Sequence, residues 1–195
     1  MDVDTSGVWQ LAVYTYAMPG IDETRSFVPL NIAVLTISDT RDEANDVSGK
    51  LLCERAEGAG HKIIDRKLVG DDLRGLVNCL RGWIAEAGVD VVITTGGTGV
   101  TGRDVTPEAF AAVVEKEIPG FGELFRLISR DKIGTSTIQS RATAGVAGGT
   151  FLFALPGSPG ACRDGWDEIL CHQLDSRTRP CNFVELLPRL REGKA

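Results

Sequence analysis

The chain has 195 residues, a length typical of one domain or of one domain with a short appendage. Its 21 Lys and Arg residues against 27 Asp and Glu residues give a formal net charge of −6. This acidic balance argues against general binding of nucleic acid or anionic membranes, which requires a basic face. With 43% hydrophobic and 25% charged residues, the composition is that of a globular protein rather than a disordered or fibrous one.

The sequence also predicts where the protein is located. No run of 18 apolar residues occurs, so we expect no membrane span. Asp2 and Asp4 stand where a secretion signal would carry positive charge. The five cysteines form no C-x-x-C pair, which favours reduced thiols. We therefore expect a cytoplasmic protein.

Residues 1–26 show no clear hydrophobic periodicity, and the regular pattern of apolar and polar residues begins at Asn31. We expect residues 1–26 to be a partly disordered N-terminal extension and residues 27–195 to form a single domain.

From residue 31 onward, short apolar runs alternate with segments of helical spacing. Apolar runs that stop at polar clusters are typical of buried parallel strands. The first half of the chain predicts strands over residues 32–37, 63–69 and 89–95, with helices over 48–57 and about 71–87.

The second half begins with a Gly/Thr loop over residues 96–105. Thr106 is the predicted N-cap of the next helix, with Pro107 as its first residue. The remaining pattern predicts a helix over 121–129, a β-hairpin of 142–147 with 150–155, and a helix over about 162–173.

This order of elements predicts a three-layer α/β/α sandwich with a mainly parallel sheet and a β-hairpin. In such sheets, ligands bind outside the carboxyl ends of the strands. The polar segments that follow the strands are 38–40, 70–72, 96–104 and 156–160. We expect all four to meet at one rim.

The most informative segment is residues 94–107, TTGGTGVTGRDVTP. Glycines let the backbone approach a ligand closely, and successive free N–H groups form an anion site. The hydroxyls of Thr94, Thr95 and Thr98 add further donors. The segment therefore predicts a phosphate-binding loop, because uncharged donors can hold an anion even on an acidic protein.

Familiar phosphate motifs do not explain this loop. Gly97, Gly99 and Gly102 match the dinucleotide spacing, but three residues separate them from the cap of the next helix. The sequence around Lys50 does not match the Walker motif, because Lys50 is followed by Leu51 instead of Ser or Thr. An ordinary glycine-rich turn is the remaining alternative, although four glycines among seven positions exceed what a turn needs.

Asp71 and Asp104 each lie just beyond a predicted strand. Two carboxylates beside phosphate oxygens repel unless a cation lies between them, and Mg²⁺ prefers one or two carboxylates with substrate phosphates and waters. We predict both as catalytic residues and Mg²⁺ ligands for phosphoryl or nucleotidyl transfer. The structural alternatives are a helix N-cap for Asp71, a role that Asp72 takes if Asp71 is catalytic, and an Asx turn for Asp104.

Ser129, Ser140 and Arg141 bracket the segment before the hairpin. The guanidinium of Arg141 is suited to clamp a phosphate, and a surface salt bridge is its alternative role. No G-x-S-x-G elbow and no Ser-His-Asp order occurs, which disfavours covalent acyl transfer.

Seven short segments occur together and in order: ISD at 37–39, SG at 48–49, TTGGTG at 94–99, DVTP at 104–107, PGFGE at 119–123, SR at 140–141 and PGS at 156–158. Over residues 27–190 the chain thereby resembles the MoaB/MogA family of molybdenum cofactor biosynthesis proteins. The segments IGTSTIQSR at 133–141 and DSRTRPCNF at 175–183 resemble its MoaB branch.

The resemblance implies a molybdopterin-binding fold, molybdopterin as ligand and a homo-oligomer, a hexamer of two trimers in the MoaB branch rather than a MogA-like trimer. In active members, molybdopterin attacks the α-phosphate of Mg-ATP to give adenylyl-molybdopterin and pyrophosphate. Asp71 and Asp104 match the two functional aspartates of the family. The implied molybdopterin- or phosphate-binding residues are Ser38, Thr95, Gly96, Gly97, Thr98, Gly99, Ser129, Ser140 and Arg141, and the implied nucleotide-binding residues are Pro156, Gly157 and Ser158.

Two functions follow from this resemblance. Because both aspartates are present, we predict a molybdopterin adenylyltransferase that uses ATP and Mg²⁺. Some MoaB proteins lack the first aspartate and are inactive in adenylylation. The alternative is therefore a non-catalytic oligomer that carries molybdopterin or regulates its use.

Overall fold

The computed structural model of the chain describes residues 20–192. A six-stranded sheet lies between two layers of helices, which confirms the predicted three-layer α/β fold. Eight strands are present in the described residues: β1 (Gly20–Ile21), β2 (Asn31–Ile37), β3 (Lys62–Val69), β4 (Val91–Thr95), β5 (Lys116–Glu117), β6 (Thr143–Ala147), β7 (Thr150–Leu155) and β8 (Thr178–Arg179).

The strand order in the large sheet is β3-β2-β4-β7-β6-β5. β3, β2, β4 and β7 are parallel to one another, whereas β6 runs antiparallel to β7 and to β5. β6 and β7 form the predicted hairpin, and its turn residues Gly148 and Gly149 have φ angles of 60° and 86°. The sheet is therefore mainly parallel with one hairpin, as the sequence predicts.

Seven α-helices surround the sheet in the described residues: α1 (Val47–Gly58), α2 (Leu73–Ala85), α3 (Thr106–Ala111), α4 (Pro119–Ile133), α5 (Pro159–Gly165), α6 (Cys171–Gln173) and α7 (Leu187–Leu190). A π-helical segment, Trp166–Leu170, joins α5 to α6. A 3₁₀ helix, Gly134–Gln139, extends α4, which is longer than the predicted helix over 121–129. A second 3₁₀ helix, Val184–Leu186, precedes α7.

The sheet has a hydrophobic core on each face because the side chains of a strand alternate between its two faces. Ile32 and Val34 of β2 pack into the core beneath α1, α4 and α5. Ala33, Leu35 and Ile37 pack into the core beneath α2 and α3. Both faces of the central strands are thus buried, which explains their continuous apolar runs.

The starts of α2 and α3 depend on residues next to the predicted site. The Asp72 carboxylate caps α2 by accepting the Gly75 N–H at 2.6 Å, so Asp71 is not the cap. Thr106 is the first residue of α3, and its predicted role as N-cap is wrong. Its hydroxyl instead donates to the Gly96 carbonyl at 2.8 Å, because the preceding loop folds back over the helix start.

Part of the predicted N-terminal extension contacts the C-terminal segment. β1 pairs antiparallel with β8, and Arg25 donates to the Ser176 carbonyl at 2.8 Å. The rest of that predicted extension, residues 1–19, lies outside the described residues, as do residues 193–195. Within residues 20–192, every helix is too short or too polar to cross a membrane.

His61 is a buried histidine at the edge of the first core. Its side chain is 5% exposed, and its Nδ1 accepts the Leu30 N–H at 3.2 Å. The ring packs near Phe27 and Trp166, with centroids 5.2 and 6.2 Å away. Burial lowers the pKa of His61, and the charge of Asp175 opposes this only in part.

The free energy of unfolding should fall as the pH drops below about 6.5, because the unfolded chain binds a proton there that the folded His61 resists. The contribution of His61 is at most about 1.4 kcal/mol per pH unit. His61→Asn, which keeps an acceptor for Leu30, should flatten this dependence in urea unfolding measured between about pH 7 and pH 5. His172→Asn, which removes the other histidine, should leave this pH dependence of the unfolding free energy unchanged. An unchanged slope in His61→Asn would contradict the assignment.

Candidate functional site

A cavity of about 1020 Å³ opens at the carboxyl edge of the parallel strands. Residues from all four predicted polar segments line it, so the predicted rim is confirmed. The far wall comes from α4, the 3₁₀ helix after it and α5. This volume is at the top of the range for small-molecule sites, about 300–1,000 Å³.

The glycine loop forms the floor of this cavity through two residues with positive φ. Gly96 has a φ of 112°, and a Cβ at this position would lie 2.1 Å from the Ile37 carbonyl oxygen. Gly97 has a φ of 62°, and a Cβ there would lie 2.5 Å from the Thr106 hydroxyl. Only glycine fits these positions without displacing backbone or a buried hydroxyl.

Asp71 lies in the cavity wall close to the glycine loop. Its Oδ1 is 3.2 Å from the point that a Cβ on Gly97 would occupy. Burial and the charge of Asp39 raise the pKa of Asp71, with a smaller contribution from Asp104. The two predicted catalytic aspartates therefore share one cavity and influence each other electrostatically.

Asp104 both lines the cavity and stabilises its own loop. Its Oδ2 accepts hydrogen bonds from the Thr101 N–H at 2.8 Å and the Thr101 hydroxyl at 2.6 Å. Burial favours a higher pKa for Asp104, but hydrogen bonds, chiefly from Thr101, outweigh it and hold the pKa below the ordinary value. The carboxylate is thus kept ionised, and one of its oxygens is committed to the loop.

Most of the predicted site residues come together in this cavity. Besides the two aspartates, the lining includes Ser38, Gly96, Gly97, Thr98, Gly99, Ser129, Ser140, Pro156, Gly157 and Ser158.

Thr95 and Arg141 do not line the cavity. The buried Thr95 hydroxyl lies beneath the floor and donates to the Pro156 carbonyl at 3.0 Å. The Arg141 guanidinium donates to the Gly99 carbonyl at 2.6 Å and to the Asp104 carbonyl at 2.7 Å, and it forms an ion pair with Glu108. Arg141 is therefore not placed as the predicted phosphate clamp, because its donors hold the glycine loop.

The structure adds four cations to the cavity wall that the sequence analysis missed: Arg41, Arg103, Lys132 and Arg163. Arg41 donates to the Gly157 carbonyl at 2.7 Å, and Lys132 contacts Asp164 across the α4–α5 wall at 2.5 Å. The sequence did contain a signal for Arg103, because this residue directly precedes Asp104 in the glycine loop. It contained none for Lys132, because this residue lies beyond the predicted end of its helix at residue 129.

The fold and this cavity define a class of protein. Residues 33–176 match the family model described as "Probable molybdopterin binding domain". The matched segment contains the glycine loop, both aspartates and all the other predicted site residues. The protein is thus a molybdopterin-binding-domain protein.

Comparison with known proteins gives the family within this class. Over 157 residues the chain is 49% identical to "Molybdenum cofactor biosynthesis protein B" of Escherichia coli K12, covering 80% of this chain and 92% of the relative. The protein of the same name from Bacillus cereus is 46% identical over 142 residues, covering 72% and 84%.

Two solved structures extend the likeness. A crystal structure of molybdenum cofactor biosynthesis protein B has a TM-score of 0.77 at 39% identity, covering 86% of this chain and 99% of its own. The tungsten cofactor synthesizing protein MoaB from Pyrococcus furiosus has a TM-score of 0.69 at 34% identity, covering 84% and 98%. The chain belongs to the MoaB/MogA family of molybdenum cofactor biosynthesis proteins, and its likeness is to the MoaB branch. This membership places it in molybdenum cofactor biosynthesis.

Arg141→Met should lower the free energy of unfolding of the ligand-free protein by about 1–3 kcal/mol, because the Gly99 and Asp104 carbonyls lose their donors. Urea denaturation measures this change. Arg103→Met is the matched control, since its side chain is 82% exposed and should change stability by less than about 0.5 kcal/mol. A wild-type stability for Arg141→Met would restore the phosphate-clamp interpretation.

Proposed function

We propose that this protein adenylylates molybdopterin with ATP and Mg²⁺. The observation that carries the proposal is the meeting of Asp71, Asp104 and the glycine loop in one cavity with the Pro156–Ser158 loop. The cavity volume of about 1020 Å³, at the top of the range for small-molecule sites, supports binding of a pterin beside a nucleotide.

In the proposed reaction, a terminal phosphate oxygen of molybdopterin attacks the α-phosphorus of ATP. The bond from this phosphorus to the oxygen bridging to the β-phosphate breaks, and pyrophosphate leaves with the electron pair. The N–H groups of Gly97 and Thr98 and the cavity cations Arg41 and Arg103 are suited to hold the phosphates of the two substrates. Holding both in line supplies much of the rate enhancement of such transfers.

The donor set fits Mg²⁺ delivered with the nucleotide. Residues 20–192 contain no group of three or more metal-ligating side chains, so the protein alone builds no metal cage there. Mg²⁺ usually takes one or two carboxylates and completes its shell with phosphate oxygens and waters, which suits Asp71 and Asp104. When bound, it would neutralise charge on the transferring phosphates.

A non-catalytic molybdopterin carrier is the second candidate. The hydrogen bonds from Thr101 to Asp104 favour it, because they give this carboxylate a structural role that needs no metal. A carrier would bind molybdopterin without consuming ATP, so pyrophosphate release separates the two functions.

Incubation with molybdopterin and Mg-ATP should release pyrophosphate, and Asp71→Asn should lower kcat about 100-fold, because it weakens a metal contact worth several kcal/mol in the transition state. Molybdopterin affinity should change much less. Asp72→Asn is the matched control, since it makes the same charge change at the next residue while asparagine still caps α2. If the wild-type protein releases no pyrophosphate, the proposed adenylyltransferase function is wrong and the carrier function remains.

We also propose that the protein is a homo-oligomer, a hexamer of two trimers rather than a trimer. Leu124 and Leu127 of α4 and Ile138 of the 3₁₀ helix after it are 43%, 62% and 80% exposed. They lie outside the cavity lining, so a ligand does not account for them. Leu124 and Leu127 are three residues apart in one helix and therefore share a face, and exposed apolar patches of this kind are typical of protein interfaces.

The native mass should correspond to six chains of 20.9 kDa each. The double substitution of Leu127 and Ile138 to Asp should shift it to a smaller species, because charges disfavour burial of this surface. Val47→Asp, at an exposed residue that begins α1, should keep the wild-type mass. Native mass spectrometry measures all three. A wild-type trimer would refute the hexamer, and a wild-type monomer would refute any homo-oligomer.

A further inference from the structure

Asp39 does not line the cavity, but its side chain contacts two charged residues that do, Asp71 and Arg103. Its Oδ1 accepts a hydrogen bond from the backbone N–H of Asp71 at 2.9 Å. Its Oδ2 lies 3.9 Å from Nη1 of Arg103, which precedes Asp104 in the glycine loop. One carboxylate therefore contacts the loop of each proposed catalytic aspartate.

The strand order explains how one side chain reaches both loops. Asp39 follows β2, Asp71 follows β3 and Arg103 follows β4, and β2 lies between the other two strands. Parallel strands end at the same edge of a sheet, so the loop after the middle strand is flanked by both neighbours. Asp39 occupies the central position.

Gly70 provides independent support for a close fit around this carboxylate. A Cβ on Gly70 would lie 3.0 Å from Oδ1 of Asp39, closer than ordinary van der Waals contact. The absence of a side chain at residue 70 therefore lets the carboxylate approach the N–H of the next residue without displacement.

The two contacts of Asp39 differ in strength. A carboxylate that accepts a backbone N–H at 2.9 Å makes a charge-assisted hydrogen bond. The ion pair is longer, and its side chains are 82% exposed for Arg103 and 45% for Asp39, so solvent screens it. Asp39 therefore fixes the backbone of Asp71 and contributes little to the placement of Arg103.

We propose that Asp39 is a positioning residue that orients Asp71 toward the metal–nucleotide complex. This inference rests on the proposed adenylyltransferase function and assigns part of its machinery to a residue that does not line the cavity. Groups that orient a metal ligand from behind typically change metal affinity or activity about 10- to 100-fold when they are removed.

Asp39→Ala should lower the affinity for Mn²⁺, measured by electron paramagnetic resonance in the presence of ATP, by about 10- to 100-fold. The kcat of pyrophosphate release should fall with it, while the KM for molybdopterin should change little. Asp39→Asn keeps an acceptor for the Asp71 N–H and should recover most of the Mn²⁺ affinity.

Asp42→Ala is the matched control on the same loop. Asp42 accepts the N–H groups of Ala44 and Asn45 at 2.9 and 3.0 Å and does not line the cavity, so its loss should leave Mn²⁺ affinity unchanged. Wild-type Mn²⁺ affinity in Asp39→Ala would overturn the inference and leave the proposed function intact. An equal loss in Asp42→Ala, or no recovery in Asp39→Asn, would also overturn it. A wild-type protein that neither binds Mn²⁺ with ATP nor releases pyrophosphate would contradict the proposed function itself, and the inference would fall with it.

Discussion

The close approach of Gly96 to its neighbours is the constraint on which the site depends. A Cβ at this residue would lie 2.1 Å from the carbonyl oxygen of Ile37, and a Cβ on Gly157 would lie 3.3 Å from the Gly96 Cα. The ends of β2, β4 and β7 can therefore lie side by side with their loops in contact. Without this approach, the floor and two walls of the cavity would separate.

The site combines an acidic protein with ligands that are themselves anionic. The chain carries a net charge of −6, yet the cavity is lined by the uncharged glycine loop together with Arg41, Arg103, Lys132 and Arg163. Within this wall the two aspartates have different environments. Burial and a neighbouring carboxylate raise the pKa of Asp71, whereas hydrogen bonds hold the pKa of Asp104 down. The two carboxylates are therefore not equivalent, because their surroundings shift their pKa values in opposite directions.

Sequence reasoning succeeded where the signal was local. Apolar runs predicted the central strands because both faces of these strands are buried. It failed where a side chain had two possible partners. Thr106 has the residue type and position of an N-cap, but its hydroxyl bonds to Gly96, ten residues earlier in the chain. Arg141 has the chemistry of a phosphate clamp, but carbonyls of residues 99 and 104 take its donors.

The sequence by itself determined the alternation of strands and helices, the glycine loop and the position of both aspartates beyond strand ends, because these features depend on short-range spacing. From them followed the fold class and a common rim. Only the tertiary structure decided which side chains line the cavity and which contact its lining residues without lining it. Asp39 contacts Asp71 and Arg103 across the ends of three strands, a relation set by the lateral order of those strands. Spacing along the chain does not carry that order, because it arises only when the sheet assembles.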